Sequence, residues 1–133
     1  MRRHLVAVVA LASALLGGGN ALLAHHSAAA AYDTARKITF KGTVTQVEWK
    51  NPHVFYYLDV VDASGMVTNW AIEGSTPNQL YRLGWRKTDL KVGDAVTVTD
   101  SSPARNGTPK AYGGILTLAD GRRVFGGSAG TDR

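Results

Sequence analysis

The sequence predicts an all-β domain with one short helix, a small OB-like β-barrel of five to six strands. Three observations carry this expectation. Runs of alternating apolar and polar residues, bounded by turn residues, recur from Ile38 to Phe125. The first run changes parity midway, as a strand does when a bulge coils it. The one clean helix start falls between the third and fourth runs, the order of an OB-type barrel. Another small β-barrel or a sandwich is the main alternative.

In the first strand, Ile38, Phe40, Gly42 and Val44 keep one parity, and Val47 and Trp49 take the other. Lys50-Asn51-Pro52 is a turn, because proline fixes φ and biases the preceding residue away from helix. The second strand runs from about His53 to Asp62. Val54, Tyr56, Leu58 and Val60 share one face, and His53, Phe55, Tyr57 and Asp59 the other. Apolar residues on both faces place this strand centrally. Ala63-Ser64-Gly65 closes a hairpin into a third strand, Met66 to Glu73, with Trp70 and Ile72 on one face.

Thr76-Pro77-Asn78-Gln79 then starts the helix. Thr76 caps it, Pro77 suits the first helical position, and Gln79 completes a capping box. Leu80 and Leu83 pack, and Gly84 terminates. Lys91-Val92-Gly93-Asp94 turns into a fourth strand, in which Val96 and Val98 alternate with Thr97 and Thr99. Ser101 to Pro109 reads as a polar loop, followed by a fifth strand around Ala111 to Leu118. Asp120-Gly121 makes a hairpin to a last short strand near Arg122 to Phe125. The glycine-rich end, Gly126 to Arg133, reads as a disordered tail.

The first 24 residues read as a cleaved secretory signal. Arg2 and Arg3 supply the charged start, Leu5 to Leu16 the apolar run, and Gly17 to Ala24 the small-residue exit. About 12 apolar residues are too few for a membrane span, which needs roughly 20, and no later stretch is long enough. The expected layout is a signal at 1–24, an N-terminal arm at 25–37, a barrel at 38–125 and a tail at 126–133, in a bacterial periplasm or outside the cell. Removing 24 of the 133 residues leaves 109, enough for one core. The chain has no cysteine, which excludes disulfides, thiolate metal sites and a cysteine nucleophile. Without Arg2 and Arg3, 13 basic side chains face 10 acidic ones, a net charge of about +3. The bases are scattered, with Arg36-Lys37, Arg86-Lys87 and Arg122-Arg123 as short adjacent pairs. There is no polyanion-binding stripe, so nucleic acid is not an expected partner.

The residues with most chemical content are His25 and His26, two of the four histidines. Cleavage after Ala24 makes His25 the first residue, where its α-amine and imidazole form one chelating unit that resembles the histidine brace of copper proteins. Nitrogen donors suit Cu(II), and copper tops the divalent affinity order; zinc fits the same donors. A cut after Ala21 is the competing site and weakens the chelate. His53, the only histidine within the barrel, is the candidate third ligand if the arm folds back to the first turn. Glu48, Asp59 and Glu73 are the carboxylates that could complete a site, and spacing selects none of them. The plainer alternative is two solvated histidines on an alanine-rich lead-in, and a strand-end histidine bonded to its own turn.

The aromatics Trp49, Phe55, Tyr56, Tyr57 and Trp70 suggest a second possibility, an envelope binding module with an aromatic groove and no metal. A third is a copper-dependent redox enzyme, which no substrate-binding feature supports. The serines sit in no recognisable nucleophile elbow, so no catalytic residue is assigned.

Taken together, Ala24-His25-His26-Ser27, Gly42-Thr43-Val44, Val47-Glu48-Trp49, Asn51-Pro52-His53, Trp70-Ala71-Ile72-Glu73, Pro77-Asn78, Gly84-Trp85 and Lys91-Val92-Gly93-Asp94 resemble a family of small exported bacterial proteins of unknown function, domain of unknown function 6152. The resemblance runs from about Ala24 to Arg123. It implies an envelope location and a single domain rather than an activity. In that family the histidine pair and the Asn-Pro-His turn occur together, which implies a shared site at His25, His26 and His53.

Overall fold

Strand β1 (Ile38–Glu48) organises the domain because it pairs along both edges. Its second half, Thr43 to Glu48, is antiparallel to β2 (Phe55–Val61). Its first half, Ile38 to Thr43, is antiparallel to β4 (Ala95–Pro103). A strand serving two partners on opposite edges must coil. The bulge between Val44 and Gln46 provides the coil, at the place where the sequence changes parity. The computed structural model describes residues 28–126; the signal, His25, His26 and the tail from residue 127 lie outside them. The chain divides between Ala31 and Tyr32 into two units. The described part of the first, residues 28–31, is a helical turn, consistent with the high helix propensity of alanine. The barrel unit begins at Tyr32.

β2 continues antiparallel into β3 (Val67–Glu73) with no slip in register, from Phe55 opposite Glu73 to Val61 opposite Val67. The six-residue helix α1 (Pro77–Arg82) follows. The Gln79 N–H donates to the Thr76 hydroxyl at 3.2 Å, and Gly84 takes the left-handed conformation (φ 92) just beyond the helix. β5 (Lys110–Tyr112) runs parallel to β3 and antiparallel to β4. The order β1-β2-β3-β5-β4 therefore closes on itself through the β1–β4 ladder, as a five-stranded barrel of OB type. Two further strands, β6 (Ile115–Leu118) and β7 (Arg123–Val124), extend it from β4.

Two differences from the sequence expectation have identifiable causes. The single fifth strand expected at Ala111 to Leu118 is split into β5 and β6 by Gly113 and Gly114, which bring the total among the described residues to seven strands. Both glycines adopt positive φ (62 and 102), and a side chain on Gly114 would lie 2.7 Å from the Thr99 carbonyl oxygen. The loop expected at Ser101 to Pro109 starts later, because β4 continues through Pro103 with Ser101 and Ser102 buried. Their hydroxyls are satisfied in place. Ser101 donates to the Gly113 carbonyl at 2.9 Å, and Ser102 accepts from the Lys37 ammonium at 2.9 Å. Polarity alone thus mistakes a buried strand for a loop.

Val44, Val54, Tyr56, Leu58, Ile72, Val96, Val98 and Leu116 fill the barrel, in line with the alternation read along each strand. Leu80, Trp85 and Leu90 join the same cluster from α1 and the segment after it. Phe125 adopts a left-handed φ of 59. Its ring meets Tyr56 (5.5 Å), Trp49 (5.5 Å) and Trp85 (5.9 Å). Among the described residues no helix is long and apolar enough to cross a membrane.

Candidate functional site

His53 enters β2 directly after Asn51-Pro52, whose peptide bond is cis. The ladder between β2 and β3 extends past the strands: the Val54 N–H donates to the Ser75 carbonyl (2.9 Å), and the Gly74 N–H to the Val54 carbonyl (2.8 Å). Val54 thus opposes both Gly74 and Ser75, and His53, two residues before Phe55, lies diagonal to Glu73, the residue opposite Phe55. Long side chains at such diagonal positions reach one another. The His53 Nδ1 makes a short hydrogen bond with Glu73 Oε1.

The second carboxylate oxygen is also engaged. The Tyr32 hydroxyl donates to Glu73 Oε2 at 2.7 Å. Tyr32 is held there by three contacts: a β-bridge to Ala104, an Asp33 N–H donating to the Pro103 carbonyl (2.9 Å), and ring stacking on Tyr112 at 5.4 Å. Tyr112 is the residue opposite Glu73 in the parallel β3–β5 pair. The carboxylate thus links β2, β3 and the lead-in to β1. Burial, reinforced by the hydrogen bond to Glu73, pushes the Tyr32 hydroxyl well above the ordinary phenol range, so it stays a donor.

A carboxylate only accepts hydrogen bonds, so His53 donates through Nδ1, and in a neutral imidazole that tautomer leaves the Nε2 lone pair free. The His53 side chain is 31% exposed and that of Glu73 19%, so the imidazole is held by one nitrogen yet open to solvent. A ring fixed in this tautomer suits metal ligation or proton transfer through Nε2. Among the described residues no group of three histidine, cysteine or carboxylate side chains converges. His53 and Glu73 therefore stand as a pair, and His25 and His26 lie outside the described residues.

Of the three carboxylates the sequence offers, the structure brings only Glu73 to His53. Glu48 instead pairs with Lys50 (2.8 Å), which holds its carboxyl below the usual range, and Asp59 accepts from Asn69 (2.7 Å). The register of two adjacent strands was the available signal for Glu73, since His53 and Glu73 fall on one face once the hairpin is set. The part played by Tyr32 depends on a contact across 41 residues and left no local trace.

The aromatic residues do not line one groove. Tyr56 is core, Phe55 and Tyr57 stack on each other on the opposite face (6.5 Å), Trp70 pairs with Phe40 (4.9 Å), and Trp49 meets Phe125.

Comparison with curated proteins gives no match, and neither does comparison with solved structures. A family model does match, over residues 12–113 of the chain. The protein therefore belongs to a family of unknown function, DUF6152.

Proposed function

We propose that this is an exported bacterial protein that binds a transition metal, copper as Cu(II), through an N-terminal His25 together with His26 and His53. Its role is to hold, buffer or deliver the ion in the envelope. The observation that supports this most is the bond between His53 Nδ1 and Glu73. Metal-ligating histidines usually donate their second ring nitrogen to a carboxylate, which fixes the tautomer and raises ligand basicity. The same Glu73 is bonded to Tyr32, only seven residues after His25 in the chain. Seven residues reach at most about 25 Å when fully extended, so the arm is a short tether to the third ligand.

The donor chemistry agrees. The chain has no cysteine, and Met66 is its only methionine besides Met1, so soft sulfur ligation of Cu(I) is not on offer. Amine and imidazole nitrogens favour Cu(II), with zinc as the competitor. The protonated α-amine must lose a proton to bind, so affinity rises with pH through the range of an α-amine, roughly 7.7–8. Nothing in the donor set supplies a substrate pocket, which favours a carrier over a redox enzyme.

Two measurements test the proposal together. Intact-mass analysis of the secreted protein should place the first residue at His25. Titration of that protein with Cu(II) should give a one-to-one complex that is lost in His25→Ala. A start elsewhere, or equal binding by the variant, overturns it.

A further inference from the structure

The turn between β4 and β5 carries a reactive pair of residues that has no part in the His53 site. Asn106 is followed by Gly107, and both are exposed. A side chain built on Gly107 would meet nothing within 4 Å, so the turn is open to water. The Gly107 N–H reaches the Ala104 carbonyl at 3.3 Å, beyond the usual range of about 2.7–3.2 Å for such a bond. That nitrogen is weakly held and carries no bulky side chain beside it.

The Asn106 amide is prepared for attack by it. Asn106 Oδ1 accepts from the Thr108 hydroxyl at 2.7 Å and from the Thr108 N–H at 3.2 Å. These two bonds hold the side-chain carbonyl against the backbone that follows it. They also draw electron density from Cγ, as donors aimed at a developing oxyanion do. The other asparagines among the described residues lack this combination. Asn51 precedes Pro52, whose nitrogen has no hydrogen to give up. Asn69 lies in the β2–β3 ladder with its Nδ2 bonded to Asp59 (2.7 Å). The nitrogen after Asn78 is bonded to the Thr76 hydroxyl (3.2 Å) at the start of α1. Asp120-Gly121 offers the same glycine nitrogen, but the hydrogen bond from Arg122 keeps its carboxyl ionised and a poor electrophile.

We propose that Asn106 is a site of spontaneous modification by water, converting to aspartate and isoaspartate in the folded protein with the help of the Thr108 hydroxyl. The Gly107 nitrogen attacks Asn106 Cγ, and the new bond closes a five-membered succinimide. The Cγ–Nδ2 bond breaks, and Nδ2 leaves as ammonia with the proton given up by the Gly107 nitrogen. Water then opens the ring at either carbonyl. The product carries a new negative charge in the loop that leads into β5, so the protein changes charge with age.

The test is to incubate the intact secreted protein for weeks at mildly alkaline pH and follow it by peptide mapping with mass detection. A gain of one dalton should accumulate at Asn106, split between aspartate and isoaspartate, while Asn51, Asn69 and Asn78 stay unchanged. The folded protein should convert at least as fast as a free peptide spanning Ala104 to Lys110. Thr108→Val, which keeps the shape and the backbone N–H, should slow the reaction about threefold or more, the effect of losing one hydrogen bond. Asn106→Gln would need a six-membered ring and should gain nothing over the same period. An unchanged Asn106, conversion slower than in the free peptide, or an equal rate in Thr108→Val overturns the proposal.

Discussion

Glu73 divides its carboxylate between two partners from different parts of the chain: Oε1 holds the His53 imidazole by Nδ1, and Oε2 takes the Tyr32 hydroxyl at 2.7 Å. One side chain thereby orients a candidate ligand and fastens the lead-in to the barrel. Glu73→Gln keeps the shape but removes the charge. Cu(II) affinity should fall about 10- to 100-fold, as for other outer-shell partners of metal ligands, while the fold persists. Competition against a chelator of known affinity reads the first effect and thermal unfolding the second. An unchanged copper affinity would separate Glu73 from the metal.

Alkaline pH should destabilise the protein from about pH 10 upward. Burial raises the hydroxyls of Tyr32 and Tyr56 above the ordinary phenol range, so the unfolded chain loses these protons before the folded one does. The stability they contribute is fully present below the unfolded pKa of about 10 and declines as pH rises above it. In an absorbance titration, Tyr32 and Tyr56 should be the last of the five tyrosines to ionise, and should do so only as the fold opens. All five titrating together with the fold intact would contradict this.

Gly74→Ala should destabilise by about 3 kcal/mol, the upper part of the range for overpacking. A side chain at this position would lie 2.0 Å from the buried Tyr56 hydroxyl. Tyr56→Phe removes the closest atom and should recover part of the loss, although the ring carbon at 2.7 Å remains. Urea unfolding of the single and double variants measures both effects. Additive losses would show that the clash is not the cause.

Phe125 is nearly the last described residue, yet it is buried against three aromatic rings. Phe125→Ala should cost about 3–5 kcal/mol, as for other buried phenylalanines. A cost under about 0.5 kcal/mol, the level of an ordinary surface substitution, would place Phe125 outside the core.

Most of the barrel was legible because its signals are local. The parity change after Val44 marks a real bulge, Thr76 caps α1, and Val54, Tyr56 and Leu58 alternate as a buried strand face should. The sequence misled where a non-local partner reverses a local preference. Ser101 and Ser102 look like loop residues until Gly113 and Lys37 satisfy their hydroxyls. The site followed the same rule. His53 stands out as the one histidine in the barrel, whereas Tyr32 and Glu73 gain their meaning only from the closed sheet.

The central claim is that His53 completes a copper site begun at His25. Its most direct test is a Cu(II) titration of protein beginning at His25, run beside His53→Phe against a competing chelator. His53 is partly exposed, so the variant should fold. The account predicts an affinity loss of about tenfold or more, corresponding to at least about 1.4 kcal/mol, with one nitrogen fewer in the Cu(II) spectrum. Equal affinity and an unchanged nitrogen count would contradict it.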